Sequence, residues 1–328
     1  MNEFDLIHRL QRALCPADSP PDGSIVVGIG DDAAVLDPAP GQQLIVTTDT
    51  LNAGVHFPLD TPAREIGHKA LAVNLSDLAA MGADPRWFFL NLSLPAASES
   101  WLDEFAGGLQ LLATASGVRL CGGDTTRGPL SITITAMGQV PRGAALLRGT
   151  ARAGDLVVVS GWPGRAALAL RQFKAGEAID PADWQALVRP TPRLQLGRAL
   201  RGEASACVDL SDGLLADLGH IVQDSPAVAG AELLLADLPT SASLAEQPQE
   251  ARWALQLAGG DDYELCFTLP LEKRHGLAGW AQRAAVPLTV IGRLTSVAGM
   301  RLLRPSGGEF ALARAGYDHF PTATHYVD

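Results

Sequence analysis

The spacing of apolar residues predicts both strands and helices in the first half of the chain. Four apolar runs have the length and the β-branched or aromatic content of strands, over residues 25–29, 44–48, 87–94 and 132–140. Two longer stretches, residues 63–81 and 101–116, repeat apolar side chains at helical intervals. Thr61 and Pro62 precede the first of these as a typical helix start. We therefore predict a mixed α/β N-terminal domain.

A glycine-containing stretch near the middle of the chain separates two predicted domains. Residues 141–155 include Gly143, Gly149 and Gly154 and show no sustained period. Beyond them, predicted strands over residues 156–160, 206–210 and 264–269 alternate with predicted helices over residues 165–173, 214–222 and 271–284. A chain of 328 residues also exceeds one ordinary core. We predict a two-domain mixed α/β (α+β) fold, divided into residues 1–145 and residues 150–328.

Charge and composition limit the partners and the compartment. The net charge of −11 disfavours nucleic acid and anionic membranes as partners. No run approaches the roughly 18 to 20 apolar residues of a membrane span, and the N-terminal segment, with Glu3 and Asp5, is unlike a signal peptide. We expect a cytoplasmic protein. Its four cysteines lack zinc-binding spacing and are expected to be reduced thiols: Cys15, Cys121, Cys207 and Cys266.

Candidate chemistry is concentrated in aspartates at predicted strand ends, glycine turns and one helix end. They are Asp31, Asp32, Asp49, Asp77, Asp124, Asp209 and Asp212. Aspartate also caps helices and forms turns for purely structural reasons. A carboxylate near a helix C-terminus, as predicted for Asp77, opposes the helix dipole and favours a compensating cation. Oxygen ligands suit magnesium, which also shares phosphate oxygens. These residues alone indicate a magnesium site of undefined purpose.

Two common phosphate-binding loops do not fit this sequence. None of the three lysines, Lys69, Lys174 and Lys273, follows a glycine, so a Walker A loop is absent. The segment Gly28-x-Gly30-x-x-Ala33 matches the dinucleotide fingerprint, and an acid, Asp49, follows about 20 residues later. Asp31 and Asp32 would nevertheless repel a pyrophosphate there, and prolines and a glycine soon interrupt the required helix. An oxidoreductase is therefore disfavoured.

Eight segments in order along nearly the whole chain resemble the thiamine-monophosphate kinase family. They are residues 28–34 (GIGDDAA), 48–50 (TDT), 54–57 (GVHF), 69–84 (KALAVNLSDLAAMGAD), 122–129 (GGDTTRGP), 209–213 (DLSDG), 260–265 (GDDYEL) and 316–320 (GYDHF). That family belongs to the superfamily of aminoimidazole ribonucleotide synthase and selenophosphate synthetase. The resemblance implies that superfamily's two-domain fold, a homodimer in which the N-terminal sheets pair, and ATP bound in a cleft between the domains. It also implies phosphorylation of thiamine monophosphate by ATP, giving thiamine diphosphate and ADP.

The resemblance also implies roles for individual residues. Those that resemble the family's metal-binding positions are Asp32, Thr47, Thr48, Asp49, Asp77, Asp124, Asp209 and Asp212. Those that resemble ATP contacts are Gly123, Asp124, Arg148 and Ser211. His56, Asp261 and Tyr317 resemble substrate contacts. The family commonly has Glu-Asp where this chain has Asp261-Asp262, which shortens the first side chain by one methylene.

The implied reaction requires no catalytic base. The acceptor phosphate has a second pKa near ~6 and is largely ionised at neutral pH. Several magnesium ions would offset the repulsion between the two phosphates, and the sequence leaves their number and any potassium requirement open. An acidic and an aromatic residue, Asp261 and Tyr317, suit the cationic thiazolium. We therefore expect direct transfer without a phosphoenzyme.

Two other interpretations remain as alternatives. Another superfamily member would use a different small acceptor, and a non-catalytic module would bind metal or nucleotide without turnover. Selenophosphate synthetase would need a reactive cysteine in a glycine-rich N-terminal segment, whereas Cys15 adjoins Pro16. The hydrogenase maturation protein would end in a cysteine, which residues 324–328 lack.

Overall fold

The computed structural model describes residues 3–14 and 23–319, so Cys15, Phe320 and residues 324–328 lie outside the described residues. The chain divides into two compact units. The first contains the chain up to Ala145 together with Val188–Arg201, and the second contains Leu146–Leu187 and the chain from Gly202 onward. The division near residue 145 falls in the stretch predicted as a linker. Val188–Arg201 joins the first unit, which the apolar pattern did not predict.

In the part of the first unit that the structure describes, there are four helices and six strands. In chain order they are α1 (Glu3–Leu14), β1 (Ile25–Val27), β2 (Val35–Leu36), β3 (Gln42–Asn52), α2 (Ala63–Ala80), β4 (Asp84–Leu94), α3 (Glu99–Ser116), β5 (Arg119–Arg127) and β6 (Ser131–Pro141), with α6 (Leu194–Leu200) added from later in the chain. Strands β1 and β2 form a small antiparallel pair. The main sheet has the order β3-β6-β4-β5, in which only β4 and β5 run parallel.

Helix α2 is buried on most of its surface because it contacts the sheet strands β3 and β6, helix α3 and helix α6. Two glycines allow the close approach of α2 and α3. A Cβ atom at Gly67 would lie 2.1 Å from the carbonyl oxygen of Phe105, and one at Gly108 would lie 1.9 Å from that of Arg64. The backbones of α2 and α3 are therefore almost in contact where the two helices cross.

The second unit is a six-stranded sheet with helices. Its elements are β7 (Leu156–Ser160), α4 (Arg165–Ala175), α5 (Pro181–Val188), β8 (Ala206–Asp209), α7 (Leu214–Asp224), β9 (Gly230–Leu234), α8 (Ala242–Ala245), α9 (Gln249–Ala258), β10 (Leu265–Leu269), α10 (Leu277–Ala284), β11 (Leu288–Thr295) and β12 (Gly299–Leu303). The strand order is β12-β9-β11-β7-β10-β8, and only β12 and β9 are parallel. Val159, Val208, Leu218, Trp253 and Ile291 lie in its core. No helix of the described residues has the length and apolar content needed to span a bilayer.

Candidate active site

The loop between β1 and β2 presents the first aspartates. Asp31 accepts a hydrogen bond from the backbone N–H of Asp32 through Oδ1 at 2.8 Å, so its carboxylate closes its own turn. Gly30 has φ 121°, a conformation that L residues rarely adopt. The side chain of Asp32 is exposed beside this turn. The loop therefore leaves the Asp32 carboxylate accessible, and its role as a metal ligand stays a prediction.

Strand β3 and helix α2 bring three predicted metal ligands together. Thr47 and Asp49 lie on the face of β3 that packs toward α2, and the Thr47 hydroxyl donates a hydrogen bond to Oδ2 of Asp77. Burial and the negative charge of Asp77 raise the pKa of Asp49 to about 6. Two carboxylates and a hydroxyl thus share a partly buried region, where a hard cation would relieve the repulsion between the carboxylates.

Thr48 and Asp124 do not join this group. Because side chains alternate along a strand, Thr48 points to the opposite face of the sheet, where its hydroxyl lies 3.1 Å from that of Thr135. Asp124 on β5 is in register with Asn91, and the ladder continues to Thr133 and Thr50, so it lies on the same face as Thr48. Thr48 and Asp124 lie on the two edge strands of the sheet, three strand spacings apart, and Thr48 is also two residues along β3 from Thr50, which is in register with Asp124. Roughly 16 Å therefore separates the two residues.

Gly123 is required where β5 meets β4. A Cβ atom there would lie 1.8 Å from the carbonyl oxygen of Leu90, and the residue has φ 148°. Only glycine lets the backbone of residues 122–124 approach the neighbouring strand so closely. This supports a structural reason for the double glycine before Asp124, in addition to the ATP contact implied by the resemblance.

In the second unit, the turn after β8 is held by a residue that the sequence analysis missed. The backbone N–H groups of Ser211, Asp212 and Gly213 all donate to Oδ2 of Asp217, at 3.1, 3.2 and 3.1 Å. Asp217 is buried, and burial together with the charge of Asp212 raises its pKa to about 7. The only sequence signal was an aspartate in the first turn of a predicted helix, a common capping arrangement.

Residues 261–264 are locked against this turn. Asp261 and Tyr263 donate backbone N–H groups to the carbonyls of Ser211 and Leu210, each at 2.8 Å. Asp261 has φ 71° and Tyr263 has φ 50°, although neither is glycine. Between them, Asp262 accepts a hydrogen bond from the Gly164 N–H at the start of α4 at 2.7 Å, and burial raises its pKa well above the usual range.

Tyr317 completes the second-unit group. Its backbone N–H donates to the carbonyl of Asp212 at 2.9 Å, and its ring packs edge-on against His319 with centroids 4.9 Å apart. Burial raises the pKa of Asp212, and the carboxylates of Asp261 and Asp318 act in the same direction while His319 and His220 oppose them. Ser211, Asp212, Asp261 and Tyr317 therefore form one acidic group with an exposed aromatic ring, next to Asp209 at the end of β8.

The remaining predicted contacts, His56 and Arg148, lie elsewhere in their units. His56 is in a turn after β3, where its Nδ1 accepts a hydrogen bond from the Asn52 N–H at 2.9 Å. The buried Lys69 donates to the His56 carbonyl at 3.2 Å. The side chain of Arg148 is exposed, and its carbonyl accepts a hydrogen bond from the Ser225 hydroxyl at 3.2 Å. Within the described residues, no three His, Cys, Asp or Glu side chains are arranged to hold a metal ion by themselves.

Comparison with known proteins identifies the class and then the family. The family described as AIR synthase related protein, N-terminal domain, matches residues 30–140. The crystal structure of thiamine-monophosphate kinase from Stenotrophomonas maltophilia K279a has 49% sequence identity and a TM-score of 0.83, and the match covers 92% of this chain and 96% of that one. The fold is therefore that of the AIR synthase related proteins, as the sequence predicted.

Two further relatives narrow the assignment from this fold class to a single family. The thiamine-monophosphate kinase of Escherichia coli K12 is 46% identical over 308 residues, 91% of this chain and 93% of its own. The structure of AaThiL complexed with AMPPCP and TMP has 30% identity and a TM-score of 0.74 and covers 97% of both chains. The chain belongs to the thiamine-monophosphate kinase family, which confirms the resemblance seen in the sequence.

Proposed function

We propose that this enzyme transfers the γ-phosphoryl group of ATP to the phosphate of thiamine monophosphate, forming thiamine diphosphate and ADP. The observation that carries the proposal is the near full-length similarity to thiamine-monophosphate kinases, at 46% identity to the Escherichia coli protein. A relative of 30% identity forms a complex with AMPPCP, an analogue of ATP, and with TMP, the family's acceptor.

The residues present suit an electrostatic mechanism. Two anionic phosphates must approach to roughly 3 to 3.5 Å in line, and the acceptor is largely ionised at neutral pH without a base. Magnesium would neutralise the phosphate oxygens during transfer. Thr47, Asp49 and Asp77 offer the oxygen donors that this ion prefers, and the raised pKa of Asp49 marks a place where positive charge is favourable. The other proposed metal positions are Asp32, Thr48, Asp124, Asp209 and Asp212.

The proposed substrate contacts differ in their chemistry. Asp261 offers a carboxylate and Tyr317 an exposed aromatic face to the cationic thiazolium. Because the Nδ1 atom of His56 accepts a backbone hydrogen bond, a neutral ring carries its proton on Nε2, where it can donate to a phosphate oxygen. Gly123, Asp124, Arg148 and Ser211 are proposed to contact ATP.

We also propose a cytoplasmic homodimer that pairs the sheets of two first units. The face of that sheet opposite α2 exposes Leu44 and Val46, at 45% and 54% of their surface. Apolar side chains on a sheet face gain stability when a second sheet covers them. Analytical ultracentrifugation of the protein, with Val46→Glu as the disrupting variant, tests this assembly.

Turnover by the purified protein tests the function. With ATP, magnesium chloride and thiamine monophosphate, thiamine diphosphate and ADP should form in equal amounts, and EDTA should stop the reaction. Assays with and without potassium chloride decide whether that ion is required. Binding without turnover would favour a non-catalytic module, and ATP consumption with a different small acceptor would favour another member of the superfamily. A phosphorylated side chain trapped during turnover would exclude direct transfer.

Asp49→Ala and Asp212→Ala test the metal positions. Each should abolish turnover because the site loses a carboxylate that holds positive charge near the phosphates, while circular dichroism stays unchanged. Thr295→Val is a control that removes a hydroxyl at the end of β11, where it donates to the Val297 carbonyl. Wild-type activity in both aspartate variants would remove this assignment.

A further inference from the structure

Two residues with uncommon backbone dihedral angles lie in one short segment of the second unit. Asp261 and Tyr263 have positive φ angles of 71° and 50°. This conformation is uncommon for any residue with a Cβ and rare for an aromatic one. It persists only where the surroundings fix it, and such residues cluster at functional sites. The segment therefore holds Asp261 and Tyr263 in a particular arrangement at a conformational cost.

Neighbouring contacts explain how the arrangement is maintained. Asp262 is anchored to the start of α4, and Glu264 accepts a hydrogen bond from the Ser160 hydroxyl at 2.5 Å. Ser160 in turn accepts the Leu265 N–H at 2.9 Å. These buried polar contacts of Asp262 and Glu264 hold the backbone on both sides of Tyr263.

Within this segment, the Tyr263 side chain contacts the Asp261 carboxylate directly. The phenol hydroxyl donates a hydrogen bond to Oδ1 of Asp261 at 3.1 Å. The ring of Tyr263 is buried, with 8% of its surface exposed, so the hydroxyl is carried by a rigid support. A hydrogen bond to one carboxylate oxygen fixes the rotation of the whole group, and with it the direction of the second oxygen.

We propose that Tyr263 is a positioning residue that orients the Asp261 carboxylate toward the cationic part of the acceptor. The inference rests on the proposed function, because it takes Asp261 as the group that meets the thiazolium. It adds a residue that lies outside the predicted contacts. Because the Tyr263 hydroxyl is hydrogen-bonded to the Asp261 carboxylate, this pair would set the geometry of the acceptor site.

Tyr263→Phe in the full-length enzyme tests the proposal. The variant keeps the buried ring and removes only the hydroxyl, so the melting temperature should change little. The KM for thiamine monophosphate should rise by up to about tenfold, because binding must then order a carboxylate that the hydroxyl no longer holds in place. The value of kcat and the KM for ATP should stay within about twofold of wild type. Thr295→Val should leave all three constants unchanged.

A double-mutant cycle tests whether Tyr263 affects acceptor binding through Asp261. If Tyr263 acts through Asp261, then Tyr263→Phe should have no further effect in an Asp261→Ala background. An equal effect in both backgrounds would overturn the proposal, as would an unchanged KM for thiamine monophosphate in the single variant. A joint rise of both KM values with a lower melting temperature would show a purely structural role and would also overturn it.

Calorimetric binding of thiamine monophosphate separates this inference from the proposed function. Weaker binding by Tyr263→Phe alongside a wild-type protein that binds but does not phosphorylate the ligand would refute the function and leave the inference standing. Absence of binding by the wild-type protein would overturn both. Turnover by wild type with equal affinity in the variant would leave the function standing and refute the inference.

Discussion

At the residue scale, the surroundings of the Asp49 carboxylate favour the binding of a cation. Burial and the nearby Asp77 raise its pKa to about 6, so the ionised form is disfavoured while no positive charge is near. A bound divalent ion reverses that preference because it interacts only with the ionised carboxylate. A bound metal ion would therefore stabilise the ionised Asp49 carboxylate, which burial and Asp77 disfavour in its absence.

This raised pKa predicts the sign of a stability change with pH. An aspartate of the unfolded chain titrates near ~3.9, so between about pH 4 and 6 the folded protein holds a proton that the unfolded chain has lost. The free energy of unfolding of the protein in EDTA should therefore fall as pH rises through this window. Urea denaturation at pH 4.5, 5.5 and 6.5 measures the slope. Asp49→Asn should reduce it, and an unchanged slope in the variant would contradict the assignment.

Asp217 makes a different contribution, because its carboxylate accepts three backbone N–H groups. Asp217→Ala would leave those donors without an acceptor, at a cost of about 1 to 3 kcal/mol. The free energy of unfolding of the Asp217→Ala variant should fall by that amount. The KM for ATP with magnesium should rise, because the backbone of Ser211 and Asp212 would no longer be held by hydrogen bonds to Asp217. Asp217→Asn, which keeps an acceptor oxygen, should fall between wild type and Asp217→Ala. An alanine variant as stable as wild type would disprove this role.

At the scale of elements, the crossing of α2 and α3 gives a matched pair of glycine variants. Gly108→Ala would place a Cβ atom 1.9 Å from the Arg64 carbonyl oxygen, so the helices must separate. We expect a loss of about 1 to 3 kcal/mol, the usual cost of overpacking. At Gly107 the nearest atom would be 3.5 Å away, at the end of the Arg64 side chain, so Gly107→Ala should stabilise by up to about 1 kcal/mol. Urea denaturation measures both, and equal effects would contradict the crossing.

The same scale shows which elements the apolar pattern could predict. Strands β3, β4 and β6 and helices α2 and α3 were predicted because each contains a periodic or continuous run of apolar and β-branched residues. Strand β5 was missed because its sequence, RLCGGDTTR, has no such run. Its extended state comes from pairing with β4, where Phe89 and the Leu90 carbonyl occupy the space of Cβ atoms at Gly122 and Gly123. The intrinsic β-propensity of a sequence does not show which strand will pair with it, so it could not predict β5.

The candidate site, like the fold, could be predicted from the sequence only in part. Aspartates after strands and glycines could be identified from the sequence, and the resemblance supplied their implied roles. The sequence could not show that Thr47 and Asp49 face Asp77 while Thr48 faces away, because that depends on which side of β3 packs against α2. Nor could it show that Asp217 accepts three backbone N–H groups or that Tyr263 donates to Asp261, because both depend on the backbone conformation of short turns.

At the scale of the whole molecule, a protein with a net charge of −11 must bind polyanions. Its own field repels ATP, so a cation has to accompany the nucleotide. ATP in EDTA should leave the melting temperature unchanged, whereas ATP with magnesium should raise it. A ligand at 100 times its Kd stabilises the folded state by about 2.7 kcal/mol. For domains of this size, that corresponds to a rise of roughly 5 to 11 °C.

Differential scanning fluorimetry with the wild type, Asp49→Asn and Asp212→Asn makes this a test of charge placement. Both variants make the protein less acidic by one unit, so a general reduction of repulsion would strengthen nucleotide binding in each. If the carboxylates instead hold the cation that binds the phosphates, both variants should lose most of the rise in melting temperature with ATP and magnesium. The variant Glu246→Gln, on the surface after α8, makes the same change in net charge away from these groups and should keep the wild-type response. A larger rise in the aspartate variants than in wild type would show that the local carboxylates oppose the nucleotide, and that positive charge for its phosphates comes from elsewhere.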